Sequence, residues 1–502
     1  MKARSLAAAG VVLASTAHSQ VVQFDIEKRQ LPNPNLNRRA TNAFDTPILN
    51  NQQQGGYFVN VQVGSPGQQL TLQLDTGSSD VWVPYTGASI CAQKTSQNPG
   101  CTLGSFDPDK SDTFEDLGKG SFSIKYVDNS YSKGDYFQDV FQIGGATVKN
   151  LTMGLGLSTT IPNGLIGVGY TTNEASIATT GDTYPNLPVA MQQNGLIKTV
   201  AYSLWLNDLD ASKGSILFGG IDTEKYVGGL TKLNLVSESS RKTVSEFAVQ
   251  MYSLEAISPS GSDLFTSEED TLVAVLDSGT TLTYLPQDWA EQAWQEVGAV
   301  YDARSQLPLL PCSFANSRGH FSFGFGGPNG PRINVTMDEL VLDVTNGQQP
   351  KFDIGPFKGQ TICEFGILNQ SAPPYLLGDT FLRSAYVVYD LVNNQVGIAA
   401  TDFNATKSNI VPFPSNGAPI PSATEPSGPT DTALPTAAKK TNLAAASGFQ
   451  EVIKGSGNKG NGSNNDNAAG SLTVFSCSGM AVVGMTMLYA LMGGAFYGLR
   501  LV

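Results

Sequence analysis

The chain has 502 residues, 40% of them hydrophobic and only 15% charged, with 53 glycines. That length exceeds one ordinary domain, and the recurring Val, Thr, Ser, Tyr and Phe suit a mostly-β protein with many turns. A net charge of −13 argues against nucleic-acid partners, and His18 and His320 alone are too little imidazole for a Ser-His-Asp site or an ordinary zinc site.

The first elements in chain order are processing signals. Lys2 and Arg4 precede the apolar run LAAAGVVLASTA, and small residues end at Ser19, so residues 1–19 read as a secretory signal peptide. Residues 20–39 read as a pro-segment cut after the dibasic Arg38-Arg39, with Lys28-Arg29 as a second such pair. Next comes LQLDTGSSDVWVP, in which Leu72, Leu74, Val81 and Val83 are core-facing strand positions. Asp75 stands among them, where an unpaired carboxylate is costly. The alternating stretches GSFSIKYVD, YSLWLND and GSILFGG predict strands, and NLPVAMQQNGLI predicts a helix.

About two hundred residues after the first aspartate segment, VAVLDSGTTLTYLP repeats its pattern with Asp277 in the matching place. Pro286 is placed to start a helix over PQDWAEQAWQEVGAV. Each aspartate segment is followed downstream by apolar-apolar-Gly, first Leu165-Ile166-Gly167 and then Leu376-Leu377-Gly378. A repeat this long predicts two homologous lobes rather than a solenoid, here 40–220 and 221–403, all-β with a few short helices.

From residue 404 to 467 the chain is rich in Pro, Ser, Thr, Ala, Gly and Asn, and reads as a stalk unable to bury enough apolar surface to fold. Residues 468–502 end in MAVVGMTMLYALMGGAFYGL and read as a glycosylphosphatidylinositol-anchor signal, with attachment at Asn467 or else at Gly470 or Ser463. A transmembrane helix is the rival reading, disfavoured because Arg500 stands alone with no basic stop-transfer cluster. Removing both processed ends leaves 23 basic and 41 acidic side chains, a net charge of −18. Cys91 and Cys101 are placed to close a small disulfide loop, Cys312 and Cys363 a longer one, and Cys477 leaves with the tail. Sequons at Asn150, Asn334, Asn369, Asn404 and Asn461 agree with passage through the secretory pathway.

Two lobes related by a pseudo-two-fold axis would bring Asp75 and Asp277 together. Facing carboxyls share one proton and titrate as a pair, which supplies an acid and a base side by side. Gly77 and Gly279 permit the tight loops that turn backbone N–H groups toward the carboxylates. Ser78 and Thr280 can donate to the outer oxygens and fix their orientation. One Asp-Thr-Gly is an ordinary turn; two copies in the same setting are a site. No metal and no cofactor is called for.

The segments GGYFVNVQVGSPGQQLTLQLDTGSSDVWVP, NGLIGVGY, SILFGGID, AVLDSGTTLTYLP and YLLGDTFLRSAYVVYDLVNNQVGIA resemble those of the pepsin-like aspartic endopeptidases, over residues 55–402. The resemblance implies a bilobal β fold with a substrate cleft, Asp75 and Asp277 as the catalytic dyad, peptide or protein substrates, and a zymogen that acts as a monomer in acid. It places the tyrosine of a hairpin flap at Tyr126, supported by the Trp82 indole, with Val127 where the family usually has Gly. Lys28 or Arg29 of the pro-segment would then face the dyad.

The stretch from GLIGVGY to GGIDTEKYVGGL is similar to fungal candidapepsins and yapsins, and the stalk and anchor point to the yapsin side, at the plasma membrane or cell wall. The loop CAQKTSQNPGC carries no acid, so a preference for basic residues is not carried over. The competing readings are a catalytically silent wall glycoprotein and a glycosidase, which also uses paired carboxylates.

Overall fold

The computed structural model describes residues 21–30, 55–93, 100–211, 213–237, 243–266, 271–343, 350–426 and 442–451. It is built on strands, as the composition implies. In Gln68–Asp75, Leu70, Leu72 and Leu74 are buried while Gln69 is exposed, the alternation of a strand with one face on a core. This strand runs parallel to Leu165–Gly167, with Leu74 opposite Ile166 and Asp75 opposite Gly167. Val81–Pro84 lies on the other side of Leu165–Gly167, antiparallel to it, and parallel to Ala146–Thr159.

The second half repeats this arrangement strand for strand. Leu272–Leu276 runs parallel to Tyr375–Leu377, and Thr283–Pro286 lies antiparallel to Tyr375–Leu377 and parallel to Ile367–Gln370. The paired glycines of the repeat have a steric cause. A Cβ on Gly167 would meet the Ser79 and Asp80 amides at 2.6 Å, and one on Gly378 would meet the Leu282 carbonyl at 2.3 Å. Apolar-apolar-Gly is thus the strand over which the Asp-Thr-Gly or Asp-Ser-Gly loop folds back.

The two halves are joined by one continuous sheet. Its central order runs Tyr226–Asn234, Gln395–Thr401, Ala385–Asp390, Ala201–Trp205, Lys213–Phe218, Val22–Gln30 and Gly55–Val63. Strands from both sides of residue 220 therefore share it, and Tyr202, Phe218, Phe247 and Tyr389 pack together over it. The helices expected at Leu187–Gln193 and Gln287–Val297 are present, the second entered through Pro286.

One expectation is corrected. The stretch read as stalk from residue 404 packs on the body up to residue 426 and again over 442–451. Ile410–Pro412 pairs with Gly220–Asp222, Phe413 and Ile420 are buried, and Thr424 bridges to Thr231. Average composition concealed the reason: a few isolated apolar residues cannot fold alone, but they can dock on a surface that already exists. The signal peptide, Arg38-Arg39, Cys477, Asn461 and Asn467 lie outside the described residues.

Candidate active site

The parallel strand pairs end at two facing loops, and each carries its aspartate into a buried position, 4% exposed at Asp75 and 9% at Asp277. The loops hold them alike. Gly77 N donates to Asp75 Oδ1 at 2.8 Å and Ser78 Oγ to Asp75 Oδ2 at 2.5 Å. Gly279 N donates to Asp277 Oδ1 at 2.8 Å and Thr280 Oγ1 to Asp277 Oδ2 at 2.5 Å. Each glycine also lies against the opposite carboxyl: a methyl on Gly77 would sit 2.5 Å from Asp277 Oδ1, and one on Gly279 2.3 Å from Asp75 Oδ1. Alanine fits at neither position.

Two residues that the sequence did not single out lock the loops together. Thr76 Oγ1 donates to the Leu276 carbonyl at 2.9 Å and accepts from Ser278 N at 2.9 Å. In return, Thr76 N donates to Ser278 Oγ at 3.2 Å, and that hydroxyl donates to the Leu74 carbonyl at 3.3 Å. Their signal was the middle hydroxyl of both Asp-Thr-Gly and Asp-Ser-Gly. The interlock fixes how closely the carboxyls approach. Burial first, and then the facing Asp277 carboxyl, raise the Asp75 pKa well above the usual carboxylate range. The arrangement can therefore keep one proton on the pair where isolated carboxyls would have lost theirs.

Above the loops, Glu115–Lys125 and Tyr131–Ile143 form a hairpin whose turn is closed by Tyr126 N donating to the Ser130 carbonyl at 2.9 Å. Trp82 Nε1 donates to Tyr126 Oη at 2.8 Å. Val127 does not strain the turn, because the left-handed conformation falls on Asn129 at φ 68°, a residue that tolerates it. Behind Trp82, fully buried Asp80 accepts from the Tyr136 hydroxyl at 2.6 Å, the Tyr184 hydroxyl at 2.7 Å and Ala175 N at 2.8 Å. It ties the first aspartate loop to the flap strand and to the segment 170–186. Sequence reasoning passed over it as part of the motif.

The family description "Eukaryotic aspartyl protease" matches residues 56–401. The chain belongs to that family. "Probable aspartic-type endopeptidase opsB" of Aspergillus fumigatus is 40% identical over 82% of this chain and 82% of its own length. A protein of that name from Arthroderma benhamiae is 37% identical over 87% and 86%. "Secreted aspartic protease 8" of Candida albicans is 37% identical over 70% and 77%. This aspartyl protease is an endopeptidase of the aspartic type.

In the protease, Cys91 is bonded to Cys101 and Cys312 to Cys363. Asn150, Asn334 and Asn404 are exposed and Asn369 is half-buried. The expected approach of Lys28 or Arg29 to the dyad is corrected. Lys28 Nζ donates to the Leu209 carbonyl and has Arg383, Glu339 and Asp379 as its strongest charged neighbours, while Arg29 pairs with Glu27 at 2.8 Å. Glu339 and Arg383 already form a buried ion pair there, and burial, then the Arg383 charge, lower the Lys28 pKa to about 8. The strand geometry takes Lys28 to that cluster instead of the cleft.

Proposed function

We propose that this protease hydrolyses peptide bonds in proteins at acidic pH, through a water activated between Asp75 and Asp277. The observation that supports this most directly is the matching seating of the two carboxyls, each held by a backbone N–H and a hydroxyl. With one proton on the pair, the ionised carboxyl takes a proton from water as its oxygen attacks the scissile carbonyl carbon. The protonated carboxyl donates to the carbonyl oxygen, giving a neutral tetrahedral hydrate. Return of a proton to the departing nitrogen breaks the C–N bond. Tyr126, held by Trp82, covers the substrate from the flap.

The protease is made as a zymogen in this reading. Val22–Gln30, upstream of Arg38-Arg39, is a strand inside the central sheet, with Ile26 fully buried. The leader and anchor signal take the product to the cell surface, glycosylated at exposed sequons and tethered at Asn467.

The test is cleavage of a denatured protein by the secreted, processed chain from pH 3 to 7, beside Asp75→Asn and Asp277→Asn. Loss of about 10²-fold or more in kcat is expected from each variant. A processed, folded wild-type chain inactive at every pH would instead favour the silent-glycoprotein reading.

A further inference from the structure

The family match ends at residue 401, yet the segment 442–451 packs on the second half of the body. Phe449 is fully buried and stacks on Phe321 with ring centroids 5.4 Å apart. Its slot exists because residue 319 is glycine: a Cβ there would lie 2.2 Å from the Phe449 ring. Gly448 is equally constrained, since its Cβ would lie 2.2 Å from Ser258 Oγ.

The backbone of the segment is bound as well as its side chain. Ser258 Oγ donates to the Ala445 carbonyl at 2.6 Å and Ser260 Oγ to the Ala444 carbonyl at 2.7 Å. Gly448 N donates to Ser260 Oγ at 2.9 Å, and Ala445 N to Asp263 Oδ2 at 2.9 Å. Leu443, at the entry, holds φ 54°, a left-handed conformation that a leucine keeps only where surrounding contacts impose it. Four hydrogen bonds, one ring in a glycine-shaped slot and a strained entry residue make a built docking site for a specific sequence.

We infer that the segment 443–450 is a clasp, which keeps the body of the protease joined non-covalently to everything C-terminal of it. The connection to the rest of the chain then does not depend on 427–441 alone. A cut in 427–441 leaves the enzyme body held by the clasp, and the point from which the remaining C-terminal residues extend is the clasp site rather than residue 426.

The test uses the full chain in detergent, with a site-specific protease sequence inserted between Ala433 and Leu434 and an epitope after Gly462. After complete cutting, capture on the epitope under native conditions is expected to retain the body, and capture in urea to lose it. Phe449→Ala removes the ring and is expected to weaken retention about 10²-fold. Gly319→Val closes the slot from the body side and should act alike. Ser260→Ala, which removes two hydrogen bonds to the segment and leaves the packing, covers the case in which either variant fails to fold. Proteolytic activity of the uncut variants reports that the body is intact. Release of the wild-type body on cutting alone would overturn the inference, as would undiminished retention in variants that remain active.

Discussion

Thr76 and Ser278 register the two halves against each other, because each hydroxyl crosses to the other half's backbone. Thr76→Val keeps the shape and leaves Ser278 N buried without its acceptor, which costs about 1–3 kcal/mol. We expect a lower melting temperature and a fall in kcat larger than any change in KM, with Thr76→Ser restoring both. A variant that lost stability yet kept kcat would mean that the interlock holds the fold without setting the carboxyl spacing. The aspartates and their partners Ser78 and Thr280 were legible in the sequence because the motif occurs twice. The crossing of Thr76 and Ser278 was not, since a repeat shows that two loops are alike without showing that they meet. Asp80 was missed for a related reason. Its partners Tyr136 and Tyr184 lie 56 and 104 residues away, and no local pattern signals them.

At the scale of elements, the Trp82–Tyr126 hydrogen bond ties the turn of the flap hairpin to the body. Trp82→Phe preserves an aromatic beside Phe122 but removes the donor to Tyr126. The lost bond is worth about 1 kcal/mol, so kcat/KM should fall about fivefold, while the smaller ring in a fully buried site also lowers the melting temperature. An unchanged kcat/KM would show that Tyr126 needs no support to close. The Val22–Gln30 strand makes a stronger demand. It fills the space between Lys213–Phe218 and Gly55–Val63, and Phe24 stacks on Phe218 at 5.8 Å. A chain lacking residues 21–30 leaves both neighbours as open edges. Its secreted yield should collapse, whereas cutting after Arg39 once the chain has folded should leave activity intact or raise it. Equal yield from the shortened chain would remove the strand from the folding pathway. The alternation of strands and the two helices could be read ahead of the structure. The sheet place of a stretch read as part of a pro-segment could not, because VQFDIEKRQ is too short to announce its partners.

At the scale of the whole molecule, buried carboxyls beyond the dyad bear on stability in acid. Burial raises the pKa of Glu174 to about 9, and burial with the neighbouring Asp263 raises Glu296 to about 8. Burial alone takes Glu364 to about 8, and Asp379 is held well above the usual carboxylate range by burial. Glu364 has neither carboxyl oxygen hydrogen-bonded, so its neutral form is the one the fold accommodates. Linkage sets the sign. An unfolded chain releases these protons near pH 4, whereas the native state holds those of the three glutamates to pH 8 or 9 and that of Asp379 well past its ordinary range. Stability is therefore fully present below pH 4 and is lost as pH rises through that window, by up to about 1.4 kcal/mol per pH unit for each group. The surface works in the same direction, since a chain of net charge −13 repels itself less when its exposed carboxylates are protonated. Asp107, stabilised in the charged form by Lys110, opposes this, but its half-buried carboxylate pairs with an exposed lysine that solvent screens. The melting temperature should accordingly be highest near pH 4 and fall steadily to pH 8, with irreversible loss of activity following it. Glu364→Gln keeps the shape without an ionisable group and should flatten the fall between pH 6 and 8. A melting temperature that climbed from pH 4 to pH 8 would mean that these buried acids ionise freely in the native state, and the proposed acid preference would then rest on the dyad alone.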